Sequence, residues 1–376
     1  MAQEPANQSP VDPGCASRET AGFIGNGYFP AVPPKLSVIV PVYNREATVA
    51  EAIASAIAAA DGSGQPPGAI EIIVIDDGSS DDSAAAARAA LAEGQGRVTG
   101  TVVIQKNAGP AAARNHGVSL SRAPHLAFLD SDDLWFSWTI RSCLDAIDAH
   151  PEAALYFLRP VSFSRDLPLQ PRPALGVDHV RFDGFVGASL AHTAWSYGTS
   201  IAMVRRDAFT RLGGFDENFV CLEDTDLFIR LDTQGPCVLV LDGDLVGRRG
   251  GEADNLTNNW ALVRDGVMNM KRKEAAGGYP GGAGGDPRRS AVVAVNAVKA
   301  TRLCFANGAT GSAYAMLLRN LWPIIRGGRS RWLWRLALTP ALSLVRPKSF
   351  PFRFRPAILP GNERLATAAK ATAVSH

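Results

Sequence analysis

The chain has 376 residues, of which 46% are hydrophobic and 20% are charged, and its net charge is +2. This length exceeds one average domain and supplies enough apolar side chains for a large core. The five cysteines show no C-x-x-C spacing, which argues against a structural zinc site or a disulfide framework and favours a reducing compartment.

The chain begins with a segment, residues 1–34, that is rich in Pro, Gly, Ser and Ala and has no hydrophobic periodicity. We expect it to be a disordered lead-in. It lacks the basic and apolar regions of a secretory signal, and no stretch of the chain reaches the ~18–20 apolar residues of a membrane-spanning helix. The sequence therefore predicts a cytoplasmic protein.

Strands and helices alternate in the next hundred residues. The predicted strands lie at 36–42, 70–75, 98–104 and 125–129, and the predicted helices between them lie at 46–60, 81–91 and 110–120. The first of these strands is a short apolar run rich in β-branched residues, which is typical of a strand buried on both faces, and the second is predicted to be buried as well. This alternation predicts an α/β fold with a mostly parallel sheet, whose ligands bind at the carboxyl ends of the strands.

The alternation is looser after residue 150. The patterns there predict strands at 197–204 and 237–241 and helices at 224–232 and 259–273. A Gly- and Pro-rich stretch at 276–286 is predicted to be a flexible linker. It divides a main domain at 35–275 from a tail at 287–376.

The tail differs from the rest of the chain in charge. No Asp or Glu occurs at 287–360, where thirteen Lys and Arg fall, so 25 basic and 36 acidic residues remain elsewhere. This asymmetry suggests a main domain that handles metal and a tail that meets an anionic partner. Trp and Arg interleave in the tail as they do at membrane interfaces, and prolines at 323 and 340 predict that it lies on a bilayer rather than crossing it. Alternatively, the tail is a helical cap on the main domain; nucleic acid is not an expected partner.

Acidic residues cluster where two predicted strands end, as Asp-Asp at 76–77 and Asp-Ser-Asp-Asp at 130–133. Such carboxylates repel one another and lose hydration unless a cation is present. Mg²⁺ and Mn²⁺ prefer oxygen ligands, and Mg²⁺ is often shared with substrate phosphates. Asp130 and Asp132 are therefore candidate ligands for a metal that bridges a diphosphate. The alternative is a turn that caps the helix predicted near residues 135–149.

Four segments in this region carry a family resemblance: SVIVPVYN at 37–44, IVIDDGS at 73–79, NAGPAAARN at 107–115 and FLDSDD at 128–133. In sequence and order they resemble glycosyltransferase family 2, whose members have the nucleotide-sugar-binding GT-A fold. The segments GGFDE at 213–217 and EDTDL at 223–227 resemble, less closely, the acceptor side of that family. The resemblance implies a nucleotide-binding half at 35–135 and an acceptor half at 136–275.

The resemblance also implies roles for single residues. Asp130 and Asp132 would hold Mn²⁺ or Mg²⁺, and Tyr43 would stack on the base. Asp77, by its position, is instead a candidate to cap the turn at 78–79. The implied nucleotide-binding residues are Pro41, Tyr43, Asp76, Arg114 and Asp130. The alternative for Tyr43 is an ordinary strand-end aromatic. Arg114 could instead bond an Asp at the strand ends or be a solvated helix residue.

Asp224 is the implied catalytic base, which would take the proton of the acceptor hydroxyl. Alternatively, Glu223 and Asp224 only begin a helix, where acidic residues are favourable. Both roles are compatible, since a helix start is a rigid mount. Asp216 and Asp226 are competing candidates for the base.

One segment departs from the family. Many members have a Tyr-Arg-x-His pattern near this position, whereas the chain reads VGRRGG at 246–251, with Gly250 where the histidine is expected. Arg248 or Arg249 is a candidate source of positive charge for the diphosphate. We expect water and phosphate to complete the metal's coordination shell. The sequence contains no paired histidines, P-loop or hydrolase elbow.

The sequence thus predicts an inverting, metal-dependent glycosyltransferase. Its donor is a nucleoside diphosphate sugar, with UDP expected, and its acceptor is a saccharide or lipid-linked hydroxyl in cell-surface polysaccharide or glycolipid synthesis. The tail is expected to touch the inner face of the cell membrane. A nucleotidyltransferase acting on sugar phosphates is the first rival, but such enzymes usually have a Gly-rich loop after strand one, which PVYNR at 41–45 lacks. A non-catalytic sugar-binding relative is the second.

Overall fold

A computed structural model describes residues 23–24, 32–164, 168–174, 176–192, 195–250 and 256–326. Most of the predicted lead-in at 1–34 lies outside these residues. So does the tail from residue 327 onward, which includes the tryptophans at 332 and 334 and most of the arginines among them.

The secondary structure within these residues follows an α/β order. The strands are β1 (Phe23–Ile24), β2 (Leu36–Val42), β3 (Ile70–Asp76), β4 (Thr99–Ile104), β5 (His125–Phe128), β6 (Leu134–Trp135), β7 (Leu155–Leu158), β8 (Pro160–Phe163), β9 (His179–Phe182), β10 (Ala202–Arg205), β11 (Cys237–Val240) and β12 (Val246–Arg249). The helices are α1 (Val49–Gly62), α2 (Ser83–Glu93), α3 (Pro110–Leu120), α4 (Thr139–Ala149), α5 (Phe185–Ala191), α6 (Arg206–Arg211), α7 (Glu223–Leu231), α8 (Trp260–Ala275), α9 (Arg289–Ala306), α10 (Thr310–Arg319) and α11 (Leu321–Arg326).

Nine of the strands form one sheet in the order β1-β4-β3-β2-β5-β10-β7-β11-β9. The strands β4, β3, β2 and β5 are parallel, as the alternation of strands and helices predicts. β10 is antiparallel to both of its neighbours, β5 and β7, so it joins the parallel half to the second half of the sheet. The register places Val42 opposite Asp76, so β2 and β3 end together at the carboxyl edge.

The core follows from the apolar runs in the sequence. All seven residues of β3 are buried, and α1 presents Val49, Ile53, Ala56 and Ala60 to the core at helical spacing. Burying one Ile or Val side chain contributes about 1.5–3 kcal/mol relative to its exposure. The apolar surface of the central strands is therefore the main stabilising feature of the fold.

A second, three-stranded sheet lies beside the first, in the order β6-β12-β8. β12 is antiparallel to β6 and parallel to β8. Since β6 begins at Leu134, directly after the acidic segment 130–133, this small sheet brings the arginines of β12 to the same edge as those aspartates.

Two predicted elements begin later than expected, for local reasons. The helix predicted at 46–60 begins at Val49, because the Glu46 N–H donates to Asp81 Oδ2 (3.1 Å) rather than entering the helix. The strand predicted at 197–204 starts with a 3₁₀ turn at Thr199–Ile201, and β10 follows it. Ser200 in that turn accepts a hydrogen bond from the Asp130 N–H (3.3 Å).

The C-terminal helices pack on one another and on the main domain. α9 lies along α8, contacts α5, and supports α10 and α11. The segment predicted as a linker, 276–286, is a run of turns between α8 and α9. Arg289 anchors it by donating to the carbonyls of Pro280 (2.6 Å) and Gly282 (3.0 Å). The division into domain, linker and tail stays a prediction. No helix in the described part of the chain has the length and apolar character to cross a membrane.

Candidate active site

The ends of β2 and β3 form the first part of the site. Asp76 is only 1% exposed, and its Oδ1 accepts a hydrogen bond from the Ser79 N–H (2.7 Å). Its Oδ2 is buried and finds no hydrogen-bond partner among the described residues. Tyr43, by contrast, is 50% exposed beside it at the end of β2, while Pro41 is half-buried. A buried carboxylate oxygen without a partner is costly unless a ligand supplies a donor.

Asp77 differs from Asp76 in its contacts. Its carboxylate accepts from the Gln105 side chain (2.7 Å) and from the N–H groups of Ala108 (2.9 Å) and Gly109 (2.8 Å). Asp76, not Asp77, therefore closes the turn at Gly78 and Ser79. Asp77 fixes the loop that starts α3, where Gly109 has φ +91° and a proline follows at the first helical position.

Arg114 on α3 joins two acidic segments that are far apart in sequence. Its guanidinium donates to Asp130 (2.8 Å) and to Glu223 (2.8 Å), and the side chain is buried. Arg114 is therefore not a solvated helix residue. Burial and the adjacent Asp224 charge raise the pKa of Glu223 to about 7, although the charge of Arg114 opposes this shift. A planar guanidinium suits such a two-sided contact, because its donors are fixed in a fork.

The acidic segment 130–133 turns tightly at the edge of the sheet, with the Asp133 N–H donating to the Asp130 carbonyl (3.0 Å). Asp133 is buried and accepts from the Arg249 N–H (2.8 Å). Burial raises the pKa of Asp133 to about 7; the Arg248 charge opposes this shift, and the charges of Asp130 and Asp132 add to it. The residue at the N-cap of α4 is Trp138, which makes no side-chain capping bond.

Asp130 and Asp132 offer oxygen ligands of the type that Mg²⁺ and Mn²⁺ prefer. Asp130 Oδ1 already accepts from Arg114 and from the Thr199 hydroxyl (3.4 Å). Among the described residues no group of three or more His, Cys, Asp or Glu side chains is arranged to hold a metal. The donor chemistry thus fits a metal with two protein carboxylates, and metal binding itself stays a prediction.

Asp224 lies at the start of α7, on the acceptor side. The preceding residue, Leu222, has φ +68°, a left-handed conformation that is strained for a leucine. Asp224 Oδ1 accepts from the N–H (2.5 Å) and hydroxyl (3.1 Å) of Thr225. Burial raises the pKa of Asp224; the Thr225 bonds and the charges of Arg114 and Lys299 oppose this shift. A Cβ placed on Gly198 would lie 3.7 Å from Asp224 Oδ2 and 3.4 Å from Arg248 Nη2, so both groups flank this glycine.

The two competing aspartates are engaged elsewhere. Asp226 is fully buried and pairs with Arg230 (2.7 Å) and Lys273 (2.8 Å). Asp216 accepts from the same Lys273 ammonium (2.7 Å). Both carboxylates therefore pair with Lys273, where Asp226 is fully buried and Asp216 is half-buried. Asp224 is also half-buried, and its Oδ2 lies beside Gly198.

The two arginines of β12 also differ in their contacts. Arg249 lies over the Phe163 ring (4.7 Å) and donates to Glu51 (2.6 Å) and to the Asp132 carbonyl (2.9 Å). Arg248 donates to the Ser196 carbonyl (2.9 Å) and lies 3.9 Å from Asp133. Arg248 is thus the better placed of the two to meet a ligand near Asp224.

Sequence reasoning did not predict that Arg114 pairs with Glu223, nor that Lys299 on α9 acts on Asp224. The pairing of Arg114 with Glu223 was not predictable because these residues are 109 positions apart in the sequence. The only signal for it was the adjacency of Glu223 to the proposed base. The second had no signal, since Lys299 lies in the segment assigned to the tail.

The fold is that of a GT-A protein. The structure is similar to residues 1–349 of TarS from S. aureus, with a TM-score of 0.54 and 16% identity, over 83% of this chain and 87% of that chain. The same TarS segment in complex with UDP-GlcNAc gives a TM-score of 0.55 at 16% identity, with the same coverage. The predicted fold class is confirmed.

The sequence comparisons identify the family. The profile described as Glycosyl transferase family 2 matches residues 37–213, and that described as Glycosyltransferase like family 2 matches residues 175–259. The chain belongs to glycosyltransferase family 2, as the sequence motifs predict.

Two relatives are similar over shorter segments. The succinoglycan biosynthesis protein ExoU of Rhizobium meliloti is 45% identical over 106 residues, which are 28% of this chain and 28% of ExoU. An uncharacterized glycosyltransferase of Rickettsia conorii is 42% identical over 102 residues, 27% of this chain and 15% of that protein. The similarity thus spans less than a third of either relative.

Proposed function

We propose that this protein is an inverting glycosyltransferase. It transfers a sugar from a nucleoside diphosphate donor, first of all a UDP-sugar, to a hydroxyl group of a saccharide or lipid-linked acceptor. The observation that carries the proposal is the row of acidic groups at the carboxyl edge of the sheet, where Arg114 links the aspartates after β5 to the start of α7. Family membership supports sugar transfer, and the similarity to ExoU favours polysaccharide synthesis.

The donor's nucleoside is proposed to bind at the ends of β2 and β3. Asp76 Oδ2 would accept a hydrogen bond from a base N–H or a ribose hydroxyl, which would satisfy its buried lone pairs. Tyr43 is exposed beside it and offers a ring on which a base can stack. A UDP donor is supported by the TarS complex with UDP-GlcNAc.

The donor's diphosphate is proposed to bind near Asp130 and Asp132, whose carboxylates would hold Mn²⁺ or Mg²⁺. When bound, such a cation stabilises the negative charge on the departing diphosphate. Arg114 fixes the Asp130 carboxylate, and Arg248 lies near enough to Asp133 to place a further positive charge at this edge.

Asp224 is proposed to accept the proton of the acceptor hydroxyl as that oxygen attacks the anomeric carbon. Burial raises the pKa of Asp224, which makes the ionised carboxylate a stronger base than an ordinary aspartate. The Thr225 hydrogen bonds hold Oδ1, so Oδ2, beside Gly198, is the oxygen that takes the proton.

Two rival functions are less well supported. A nucleotidyltransferase catalyses attack on a phosphorus atom and usually has a Gly-rich loop after its first strand, which PVYNR at 41–45 lacks. A nucleotidyltransferase acting on a sugar phosphate also needs no base for an acceptor hydroxyl, the role proposed for Asp224. A non-catalytic sugar-binding relative would have no need of a carboxylate whose pKa is raised by burial at the start of α7.

The C-terminal helices are proposed to rest on an anionic membrane surface, where lipid-linked acceptors reside. Exposed apolar side chains recur at helical spacing along α10 and α11; they are Tyr314, Leu318, Leu321, Trp322 and Ile325. Leu318 is 70% and Trp322 61% exposed. Lys271 donates to the carbonyl of Arg319, so basic residues of α8 adjoin this stripe. Apolar side chains flanked by basic groups favour binding to anionic lipid.

Calorimetric titration with UDP and GDP, in the presence and absence of Mn²⁺, tests the donor site. We expect one diphosphate to bind with Mn²⁺ and to bind at least tenfold more weakly without it, a difference of about 1.4 kcal/mol. For the best donor, NMR of the first-formed product then gives its anomeric configuration. Retained configuration would contradict the inverting mechanism, and absence of nucleotide binding under all conditions would contradict the proposal as a whole.

A further inference from the structure

Two loops meet at the carboxyl edge of the sheet, one after β2 and one after β3. The backbone on both sides of Tyr43 is bonded to the loop that follows β3. Before it, the Val42 carbonyl accepts a hydrogen bond from the Asp77 N–H (2.8 Å). After it, the Asn44 N–H donates to Ser79 Oγ (2.9 Å). The neighbours of Tyr43 are therefore fixed, although its own side chain is exposed.

The side chain of Asn44 joins the same two loops. Its Oδ1 accepts hydrogen bonds from the Ser80 N–H (2.8 Å) and from the Ser80 hydroxyl (3.2 Å). Ser79, which accepts from the Asn44 N–H, donates its own N–H to Asp76 Oδ1 (2.7 Å). Hydrogen bonds through Ser79 thus connect the residue next to Tyr43 with the carboxylate of Asp76, and these are the two side chains proposed to hold the nucleoside.

The backbone of Asn44 has a conformation that most side chains disfavour. Its φ is +51°, in the left-handed region, which asparagine and aspartate tolerate because a short polar side chain can bond locally. Such a residue does not continue a β-strand, so the chain turns directly after Tyr43. The next residue stays on the loop after β3, since the Arg45 N–H donates to Ser83 Oγ (2.7 Å).

We propose that Asn44 is a positioning residue for the nucleoside pocket, whose amide and left-handed backbone hold Tyr43 in place relative to Asp76. This inference rests on the proposed function of Tyr43 and Asp76 in donor binding. Asn44 acts through these residues and needs no contact with the nucleotide. Because the two loops are already joined in the free protein, a nucleotide does not have to order them, and that cost is absent from its binding free energy.

The test is calorimetric titration of the full chain with UDP and with GDP at saturating Mn²⁺. Asn44→Gly allows the left-handed backbone but removes the amide, and we expect the Kd of the better ligand to rise about tenfold. Asn44→Asp keeps an oxygen acceptor for Ser80 and should restore the wild-type Kd. The matched control is Asn307→Gly at the end of α9, whose amide donates to the Leu303 carbonyl (2.9 Å). Its nucleotide affinity should be unchanged.

A double-mutant cycle separates positioning of Tyr43 from general stabilisation of the fold. If Asn44 acts through the Tyr43 ring, Asn44→Gly costs little further affinity once that ring is removed in Tyr43→Ala, so the two losses do not add. Fully additive losses would overturn the proposal. An unchanged Kd in folded Asn44→Gly would overturn it as well, and so would an equal loss of affinity in Asn307→Gly.

Hydrogen exchange in the nucleotide-free protein measures the contact between the loops independently. The Ser80 amide should exchange faster in Asn44→Gly than in wild type or in Asn44→Asp, because its acceptor is gone. An exchange rate that stays the same would contradict the proposal. Where Asn44→Gly does not fold, Asn44→Ser serves as the variant without the amide. A wild-type protein that protects Ser80 but binds neither nucleotide would contradict the proposed donor site and leave the contact between the loops standing.

Discussion

The aspartates of this site occur close together in the sequence, and their neighbours determine what each can do. Asp77 accepts hydrogen bonds from the loop before α3, while one buried oxygen of Asp76 has no partner within the described part of the chain. Asp226 is fully buried and pairs with Lys273, while Asp224 is half-buried at the start of α7. In each pair, one carboxylate stabilises the fold and its neighbour is available to a ligand.

Asp224→Asn tests the role of the base. We expect kcat to fall by about 10²–10⁴-fold, because the amide cannot take the acceptor's proton. UDP affinity should be unchanged. The matched control is Asp216→Asn, which breaks the contact with Lys273 and should lower the melting temperature while leaving kcat near the wild-type value. Similar losses of kcat in the two variants would argue against Asp224 as the base.

Asp76→Asn tests the nucleoside pocket. The asparagine can keep the bond from Ser79 through its amide oxygen, but it replaces the unpartnered Oδ2 with an NH₂ group. Loss of a hydrogen bond to a charged group costs about 1.5–3 kcal/mol, so we expect the Kd for the nucleoside diphosphate to rise at least tenfold. Calorimetry measures this change. Asp77→Asn should instead lower thermal stability, since Asp77 holds the loop at 105–109. Unchanged nucleotide affinity in Asp76→Asn would place the nucleoside elsewhere.

At the scale of elements, the sequence pattern was sufficient to predict the parallel half of the sheet. β2, β3 and β5 are mostly apolar and buried, and burial on both faces leaves few alternatives for such segments. β4 is mostly half-buried, so it was predicted from its place in the alternation of strands and helices. The contacts that complete the site were not predictable in the same way. Asp133 meets Arg249 across 116 positions, and Arg114 meets Glu223 across 109. Such contacts depend on how β12 and α7 pack, which no local pattern encodes.

The contact of α8 with the turn before α7 can be tested by substituting Gly266, the residue of α8 that meets this turn. Gly266→Ala places a methyl group 2.5 Å from the Cys221 carbonyl. We expect the free energy of unfolding to fall by about 1–3 kcal/mol, as overpacking does, and kcat to fall because Asp224 follows this turn. The control is Gly311→Ala in α10, where nothing lies within 4 Å of the added methyl. It should be neutral or slightly stabilising, since alanine favours helices. Equal behaviour of the two variants in thermal unfolding and turnover would show that the close approach at Gly266 is unimportant.

At the scale of the molecule, the charge asymmetry of the sequence has a structural counterpart. The helices α9 to α11 contain no acidic residue, and α10 and α11 expose the apolar stripe that includes Leu318 and Trp322. The sequence alone left two alternatives for the tail, a membrane contact or a helical cap. In the described part of the tail, α9 packs on α8, as expected of a helical cap. The stripe on α10 and α11 is exposed, as the proposed membrane contact requires.

Cosedimentation with lipid vesicles tests the membrane contact. We expect the protein to bind vesicles that contain phosphatidylglycerol, to bind pure phosphatidylcholine less, and to lose binding as the salt concentration rises. Leu318→Asp and Trp322→Asp should weaken binding several-fold. The control is Val177→Asp, because Val177 is also exposed but lies just before β9, outside the C-terminal helices. Binding that is equal for both lipids, or unaffected at Leu318 and Trp322, would contradict a membrane contact through this stripe.

The acidic edge of the sheet is proposed to activate a nucleotide sugar. The most direct measurement is release of free nucleoside diphosphate from a panel of nucleotide sugars by the purified chain, with Mn²⁺ or with a chelator, in wild type and Asp132→Ala. We predict release from at least one donor with Mn²⁺, with loss of that release in the chelator and in Asp132→Ala. Release that persists without metal and in Asp132→Ala would contradict the role of the aspartates. An absence of both release and binding for every donor would contradict the glycosyltransferase itself.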